Sequence, residues 1–274
     1  MRWMSALLVL VLSAALPAAG QGTVGTPTIS GNSISLNVSV LGGYDADLTL
    51  TFEDVQGLSL TNLGLSVHLI SLTDSTLLAR LPSSVAPALP LLLRIEPPAT
   101  GTLSFEGIAS LELHTEDLQF TAGTPLRLFS APLNGTFKDI TEDMGAGSYR
   151  ARGTTGGFSE FLIVSDTRSL SSVIALKFDA VEDLLEEYEG DMPGSVYDDL
   201  EEILEDAHTA YTGGSTNQAI QEIDDFIELV EEHSGSDIPD VWRAARDLDN
   251  AAGYLRASAM TLRFSLRLKR ALGL

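Results

Sequence analysis

The hydrophobic pattern of this chain changes its period once, and that change limits the fold more than any other feature. From Thr26 to Val164 apolar and polar residues alternate, as in SISLNVSV at residues 33–40. Alternation is typical of half-buried antiparallel strands, because successive side chains point to opposite faces. From about Ser169 the apolar residues instead recur every three or four positions, which is the period of an amphipathic helix. The sequence therefore predicts strands first and helices second.

The two halves together predict an α+β fold in two segregated domains. In the first half, glycine and proline recur between short strand patterns, which favours an antiparallel β-sandwich over residues 21–167. In the second half, short breaks between amphipathic stretches favour a four-helix antiparallel bundle over residues 168–274. The breaks fall at Gly190–Pro193, Gly213-Gly214 and Gly235–Pro239. The stripe of the fourth helix consists of Val241, Ala245, Leu248, Ala252, Leu255, Ala259, Leu262 and Leu266.

Residues 1–20 have the layout of a cleavable secretory signal. Arg2 precedes an apolar run from Ala6 to Leu16, and small residues follow at Ala18–Gly20. The run is too short for a comfortable membrane span, and no later segment approaches the length of one. We therefore expect an exported chain, periplasmic, cell-surface or secreted, with no integral membrane segment after cleavage.

Fusing residues 1–20 to an alkaline phosphatase that folds only outside the cytoplasm is expected to give an active enzyme, because the apolar run directs export. Phosphatase activity in whole cells of a Gram-negative host measures this. Replacing Leu8 and Leu10 by arginine should abolish the activity, since two charges interrupt the run. Equal activity in both fusions, or none in either, would contradict the prediction.

Charge and cysteine content exclude several functions. The formal net charge is -22, and the chain has no cysteine. A surface of this sign repels phosphate backbones, so we expect no nucleic-acid partner. Without cysteine there are no disulfides and no thiolate chemistry, and the sequence predicts no cofactor.

The helical half is strongly acidic up to its last segment. Between Phe178 and Val241 the chain carries 21 acids and no lysine or arginine, whereas residues 242–274 carry seven bases and two acids. The acids avoid the apolar stripes, so we expect them to face water. The basic last helix is expected to pair with the acidic helices before it, each exposed pair adding about 1 kcal/mol at most.

Glu205 and His208 are the sharpest metal-binding candidates, because they form an E-x-x-H motif on the second helix. Carboxylate-bridged di-iron bundles use two such motifs together with a glutamate from each of two further helices. This chain has a single motif, since Val230 stands three positions before His233. A metal-dependent enzyme is therefore only the remote alternative, and no metal site is predicted.

No catalytic group of residues emerges from the sequence. Residues 157–161 (GFSEF) resemble the nucleophile elbow G-x-S-x-G but lack its closing glycine and the helix that follows it. Ser159 is therefore not expected to be a nucleophile. His68 and His114 alternate with core residues and are expected to point outward. We expect that the chain is not an enzyme.

Trp242 is the interaction candidate in the basic last segment. Large aromatic side chains usually bury, which favours an anchor inside the helical half or between the two halves. The alternative is a hot spot for a partner protein.

Three resemblances to known families add to this interpretation. LEDAHTAYTGGSTNQAIQEIDDFIELVEEHSG together with DLDNAAGYL resembles the FIMAH domain, a helical module of bacterial surface and secreted proteins. LLLRIEPP, LSFEGIASLELH and GGFSEFLIV in the first half are similar to ZU5-like β-sandwich spacers. The full combination of these stretches with IPDVWRAARDLDNAAGYLRASAMTLRFSL at residues 238–266 resembles an uncharacterised family of secreted bacterial proteins. The FIMAH resemblance implies an accessory module without an activity of its own, since that family usually accompanies an extracellular enzyme domain.

These observations favour a non-catalytic exported protein of the bacterial envelope or exterior that acts as a structural or interaction module. Its expected partner is a cell-envelope or extracellular protein or glycan. The alternative is a polysaccharide- or calcium-dependent ligand-binding module. The remote alternative remains a metal-dependent enzyme that uses Glu205 and His208.

Overall fold

A computed structural model describes residues 21–121, 123–145 and 148–274. Within these residues the chain is an α+β protein with two sheets and six helices. The strands are β1 (Thr23–Val24), β2 (Thr28–Ser30), β3 (Ser33–Val40), β4 (Tyr44–Gln56), β5 (Leu65–Leu69), β6 (Val85–Ile95), β7 (Ser104–Gln119), β8 (Leu126–Ala131), β9 (Lys138–Asp139), β10 (Thr141–Gly145), β11 (Ser148–Thr155), β12 (Glu160–Asp166) and β13 (Val241–Arg243). The helices are α1 (Leu60–Leu63), α2 (Ser75–Leu78), α3 (Leu170–Glu187), α4 (Gly194–Thr212), α5 (Thr216–His233) and α6 (Ala251–Leu272). Among these described helices, none has the length and apolarity that a membrane crossing requires.

Two antiparallel sheets face each other across one apolar core. The first has eight strands in the order β1-β3-β4-β7-β11-β10, with β2 beside β3 and β13 beside β7. The second has five strands in the order β5-β6-β12-β8-β9. Leu50 and Leu111 of the first sheet share this core with Leu93 and Phe161 of the second. The alternating pattern therefore buries one face of each sheet against the other.

Helices α3 to α6 enclose a second apolar core. Ile174, Leu200, Phe226 and Leu262, one from each helix, are completely buried in it. Ser169 begins α3 by capping its first turn with the side-chain oxygen. The apolar stripes of the sequence thus point into a core that is separate from that of the sheets.

The predicted arrangement of two segregated domains with a four-helix antiparallel bundle is wrong. The segment between α5 and α6 forms β13, which pairs with β7 of the eight-stranded sheet. Helix α6 also packs against β7, β10 and β11. The last helix therefore lies between the sheet and the other helices, and a four-helix bundle is not clearly formed.

Trp242 explains why the segment before α6 is a strand. Its indole stacks on Phe105 of β7, with ring centroids 5.4 Å apart, and meets Phe158 edge-on at 5.0 Å. Helix α6 begins only at Ala251, because the Asn250 side chain caps its first turn. The helical spacing of the apolar residues before that point is therefore coincidental.

A buried charge pair fixes α3 to α6 and to the sheets. Lys177 of α3 is 6% exposed, and its Nζ lies 2.8 Å from Asp139 Oδ2 of β9. The same Nζ donates to Thr261 Oγ1 at 2.6 Å and to Ser265 Oγ at 3.0 Å, both in α6. Burial alone would raise the pKa of Asp139, but the charge and hydrogen bond of Lys177 hold it below its usual value. Buried charges persist only when they are paired and hydrogen-bonded in this way.

Arg256 of α6 makes a second junction between the helices and the sheets. Its guanidinium donates to both carboxylate oxygens of Glu53 in β4, at 2.7 and 2.8 Å, and to Glu231 of α5 at 2.5 Å. Burial alone would raise the pKa of Glu53, but the hydrogen bond and the charge of Arg256 lower it. Helices α5 and α6 are thereby tied to the eight-stranded sheet.

Acid is expected to remove the stability that Glu53 contributes. Because its pKa is lowered in the folded state, the unfolded chain binds more protons below about pH 4, and the contribution is lost as the pH falls further. Urea denaturation should therefore show the wild type more stable than Glu53→Gln at pH 7, with the difference shrinking as the pH falls through and below the usual range of a glutamate pKa. Glu116→Gln, at an exposed position of β7, is the control and should follow the wild type. A difference between wild type and Glu53→Gln that stays constant with pH would contradict this.

Candidate functional site

Helices α3 and α4 leave an open groove of about 380 Å³ between them, which we call the α3–α4 groove. Its floor consists of Phe178, Leu185 and Leu204. Its walls carry Glu182 and Glu186 from α3 and Glu201 and Glu205 from α4, with Tyr197 and His208 at the ends. The volume lies within the range of ligand-binding pockets.

The packing order of the long helices explains the groove. Helix α4 packs along α5, α5 along α6, and α6 along α3, and each of these pairs is in closer contact than α3 and α4 are. A single 3-10 turn at Glu189–Asp191 connects them. One strip of each helix is consequently left without a helical neighbour.

The two sides of the groove carry the same sequence pattern. FDAVEDLLE at residues 178–186 of α3 corresponds to YDDLEEILE at residues 197–205 of α4. In each stretch an aromatic residue is followed by glutamate, leucine and glutamate four, seven and eight positions later. Residues at these spacings share one face of a helix. The glutamates and leucines of the groove therefore occupy equivalent places on its two sides.

The two stretches run in opposite directions along the groove. Phe178, at the start of the α3 stretch, stacks on His208 beyond the end of the α4 stretch, with ring centroids 4.9 Å apart. Tyr197, at the start of the α4 stretch, lines the same groove as Glu186 at the end of the α3 stretch. The chemistry of the groove therefore has approximate twofold symmetry, with aromatic rings at both ends.

The groove combines a buried apolar floor with exposed negative walls. Tyr197 Oη lies 3.5 Å from Glu201 Oε1. Desolvation, followed by the negative charges of Glu201, Glu189 and Glu186, raises the pKa of the Tyr197 hydroxyl. None of the described residues that line the groove is a lysine or an arginine. A concave surface of one charge sign attracts ligands of the opposite sign.

Glu205 and His208, the metal candidates of the sequence, both line the groove, one turn apart on α4. The His208 ring lies parallel to that of Phe178 within 29°. In the part of the chain that the structure describes, no group of three or more His, Asp or Glu side chains is placed to hold a metal ion. The two residues supply a carboxylate and an aromatic face to one end of the groove.

Trp242, the interaction candidate, is 7% exposed in β13. Its ring belongs to an aromatic cluster with Phe52, Phe105 and Phe158 inside the core between the sheets. Its contact surface is thus used within the chain, where it anchors the segment between α5 and α6.

A second polar cluster crosses the eight-stranded sheet on the face away from the core. His114 Nδ1 of β7 lies 3.5 Å from Asp47 Oδ2 of β4, and His114 Nε2 contacts Ser148 Oγ of β11. Serine, histidine and aspartate in this order form the triad of many hydrolases, but the acid of such a triad is buried. The side chain of Asp47 is 66% exposed. This exposure favours a surface hydrogen-bond network. Ser159 lies elsewhere, at 8% exposure, and its carbonyl accepts from Ile95 N at 3.0 Å.

Sequence reasoning missed the groove as a single surface. It treated the acids of α3 and α4 as one solvated face and did not single out Phe178 or Tyr197. The pattern [FY]-D-x-x-E-x-x-L-E, present once in each helix, is the signal that could have found it. One pattern on two successive helices indicates two equivalent faces.

The chain is an α+β protein whose helical layer is attached to the sheets and carries an open acidic groove between α3 and α4. The chain belongs to the family of unknown function DUF6689, whose model matches residues 7–270. Membership of an uncharacterised family, expected from the sequence, is thereby confirmed. No curated protein matches the chain.

Proposed function

We propose that this protein is a non-catalytic exported interaction module whose α3–α4 groove binds a positively charged partner. The observation that carries the proposal is the groove itself, in which four glutamates border an apolar floor. Charge complementarity of this kind raises association rates and suppresses wrong partners. An exported location offers a cell-envelope or extracellular protein as the partner.

The attachment of the helices to the sheets supports this role. Lys177 lies in α3 one residue before the groove residue Phe178, and its buried contacts fix that helix to Asp139 and to α6. A binding surface that is already rigid loses less conformational entropy on association. The resemblance of residues 204–235 to the FIMAH domain agrees with an accessory role, since that family accompanies extracellular enzymes.

Calorimetric titration of the purified protein with hexalysine tests the proposal. We expect an affinity that falls with added salt, because screening weakens exposed charge contacts. The groove variant carries E182Q, E186Q, E201Q and E205Q. It should bind at least about fourfold more weakly, since four exposed pairs at roughly 0.2–1 kcal/mol each contribute about 1–4 kcal/mol together. The control variant carries D179N, D183N, E202Q and D206N, which removes the same charge from other faces of the same helices, and it should bind like the wild type.

Three outcomes would count against this function. Equal weakening in both variants would indicate general attraction to the acidic surface. A calcium-induced rise in melting temperature that persists in the groove variant would favour the calcium-dependent module instead. Covalent labelling of Ser148 or Ser159 by a fluorophosphonate would contradict the non-catalytic part of the proposal.

A further inference from the structure

We infer that the occupant of the α3–α4 groove is a basic amphipathic helix of a partner protein. The inference rests on the proposed function and adds the secondary structure and the side-chain pattern of the partner. It is carried by the spacing of the groove residues, by the length of the groove and by the equivalence of its two sides.

The spacing of the groove residues is that of a surface that faces a helix. On each side an aromatic residue, a glutamate, a leucine and a second glutamate stand at positions 0, 4, 7 and 8 of one stretch. These four positions share one face of a helix, so each side presents one continuous stripe, apolar at its base and acidic at its edge, to the groove. Two such stripes side by side form a seam for one further helix, as in other complexes that seat a helix in a groove.

The length of the groove sets the size of the contact. From Phe178 to Glu186 the α3 side spans eight helical steps, or about 12 Å at 1.5 Å per residue. The contacting part of the partner is therefore about two helical turns long. Its apolar residues, spaced by three or four positions, cover the buried floor, while lysine or arginine on either flank reaches the glutamates. An extended peptide would direct every second side chain away from the floor.

Because the two sides of the groove are equivalent, we expect the glutamates of α3 and those of α4 to contribute similarly to binding of the partner helix. The two stretches are antiparallel, and each supplies two glutamates and one aromatic ring. A helix lying along the groove meets two glutamates from α3 on one flank and two from α4 on the other, and His208 is an additional ring on the α4 side. Both sides should therefore contribute similarly to binding.

The probe is an acetylated 15-residue peptide of lysine and leucine, with leucine at helical spacing along one face. Its control has the same composition in an order that spreads leucine evenly around the helix. Titrated into the purified protein, the first peptide should bind at least about tenfold more tightly, because burial of a single leucine side chain is enough for that factor. Its circular dichroism at 222 nm should show helix formation on binding.

Paired variants test the two sides of the groove. E182Q/E186Q in α3 and E201Q/E205Q in α4 should each weaken binding of the first peptide about three- to tenfold, and by similar factors. Weakening in only one of these variants would overturn the equivalence of the sides.

The remaining outcomes separate the two proposals. Equal affinity for both peptides, weakened alike in the groove variant, would overturn the helical occupant and leave the cationic partner in place. Binding of neither peptide, or unchanged binding by the groove variant, would overturn both.

Discussion

Replacing Lys177 by methionine is expected to lower the free energy of unfolding by about 3–5 kcal/mol, because the substitution leaves a buried carboxylate without its counter-charge. Asp139 is 8% exposed, and its Oδ2 lies 2.8 Å from Lys177 Nζ. Methionine keeps the length and the apolar stem of lysine, so the loss reports mainly the charge and its hydrogen bonds to α6. Urea denaturation at neutral pH, followed by far-UV circular dichroism, measures it.

Two further variants isolate the buried pair. Lys138→Met makes the same chemical change at the exposed neighbour of Asp139 and should alter stability by about 0.5 kcal/mol or less. Adding Asp139→Leu to Lys177→Met should recover part of the loss, since replacing both members of a buried pair costs less than removing one. If the double variant were the least stable of all, or if Lys177→Met matched Lys138→Met, this view of the junction would be wrong.

Trp242→Ala is expected to lower the free energy of unfolding by about 3–5 kcal/mol, the usual cost of removing a large aromatic side chain from a core. The indole packs against Phe105 and Phe158 and holds β13 beside β7. Its loss should weaken the core between the sheets and the attachment of α6 together. Chemical denaturation followed by far-UV circular dichroism measures the effect.

Two control variants test whether the effect depends on the size of the side chain and on its position. Trp242→Phe keeps an aromatic ring and should lose clearly less than the alanine variant. Leu248→Ala lies in the same connecting segment at 41% exposure and should change stability by about 0.5 kcal/mol or less. Equal effects of Trp242→Ala and Leu248→Ala would show that the tryptophan does not anchor this segment.

Local rules predict much of the secondary structure of this chain. The alternating run at Ser33–Val40 is a strand with every second residue buried or nearly so, as period two requires. Asp74 begins the short helix α2 by accepting from Thr76 N at 2.8 Å, as expected of an aspartate N-cap. Ser215 stands at the start of α5, but no capping hydrogen bond from its side chain is formed. Ser215 and Gln218 have the spacing of a capping box, and this spacing alone does not form one at that helix start.

Long-range packing decides what the sequence could not predict. Strand β13 has three residues, too few to show a period, and its partner in β7 is more than a hundred positions away along the chain. The burial of Trp242 against that partner sets its conformation, and no local pattern carries this information. The prediction of two segregated domains was wrong for the same reason, because the contacts of α6 with the sheet depend on tertiary structure alone.

The sequence predicts which residues of the candidate site face water, but it does not predict that α3 and α4 leave a groove between them. The acids of α3 and α4 face water, as their spacing indicates, and the basic last helix does reach an acidic neighbour. Arg263 and Arg267 of α6 lie 2.7 and 3.2 Å from Asp224 of α5. Whether two neighbouring acidic helices close against each other or stay apart depends on how each packs on its other neighbours. Helix α3 packs on α6 and α4 packs on α5, which leaves the groove open.

The most direct test of the central claim is to map hexalysine binding on the purified, isotope-labelled protein by amide NMR. Salt-dependent shifts confined to residues 178–186 and 197–208 would match a built groove that binds positive charge. Shifts spread evenly over the acidic faces of α3, α4 and α5, or no shifts at all, would contradict it.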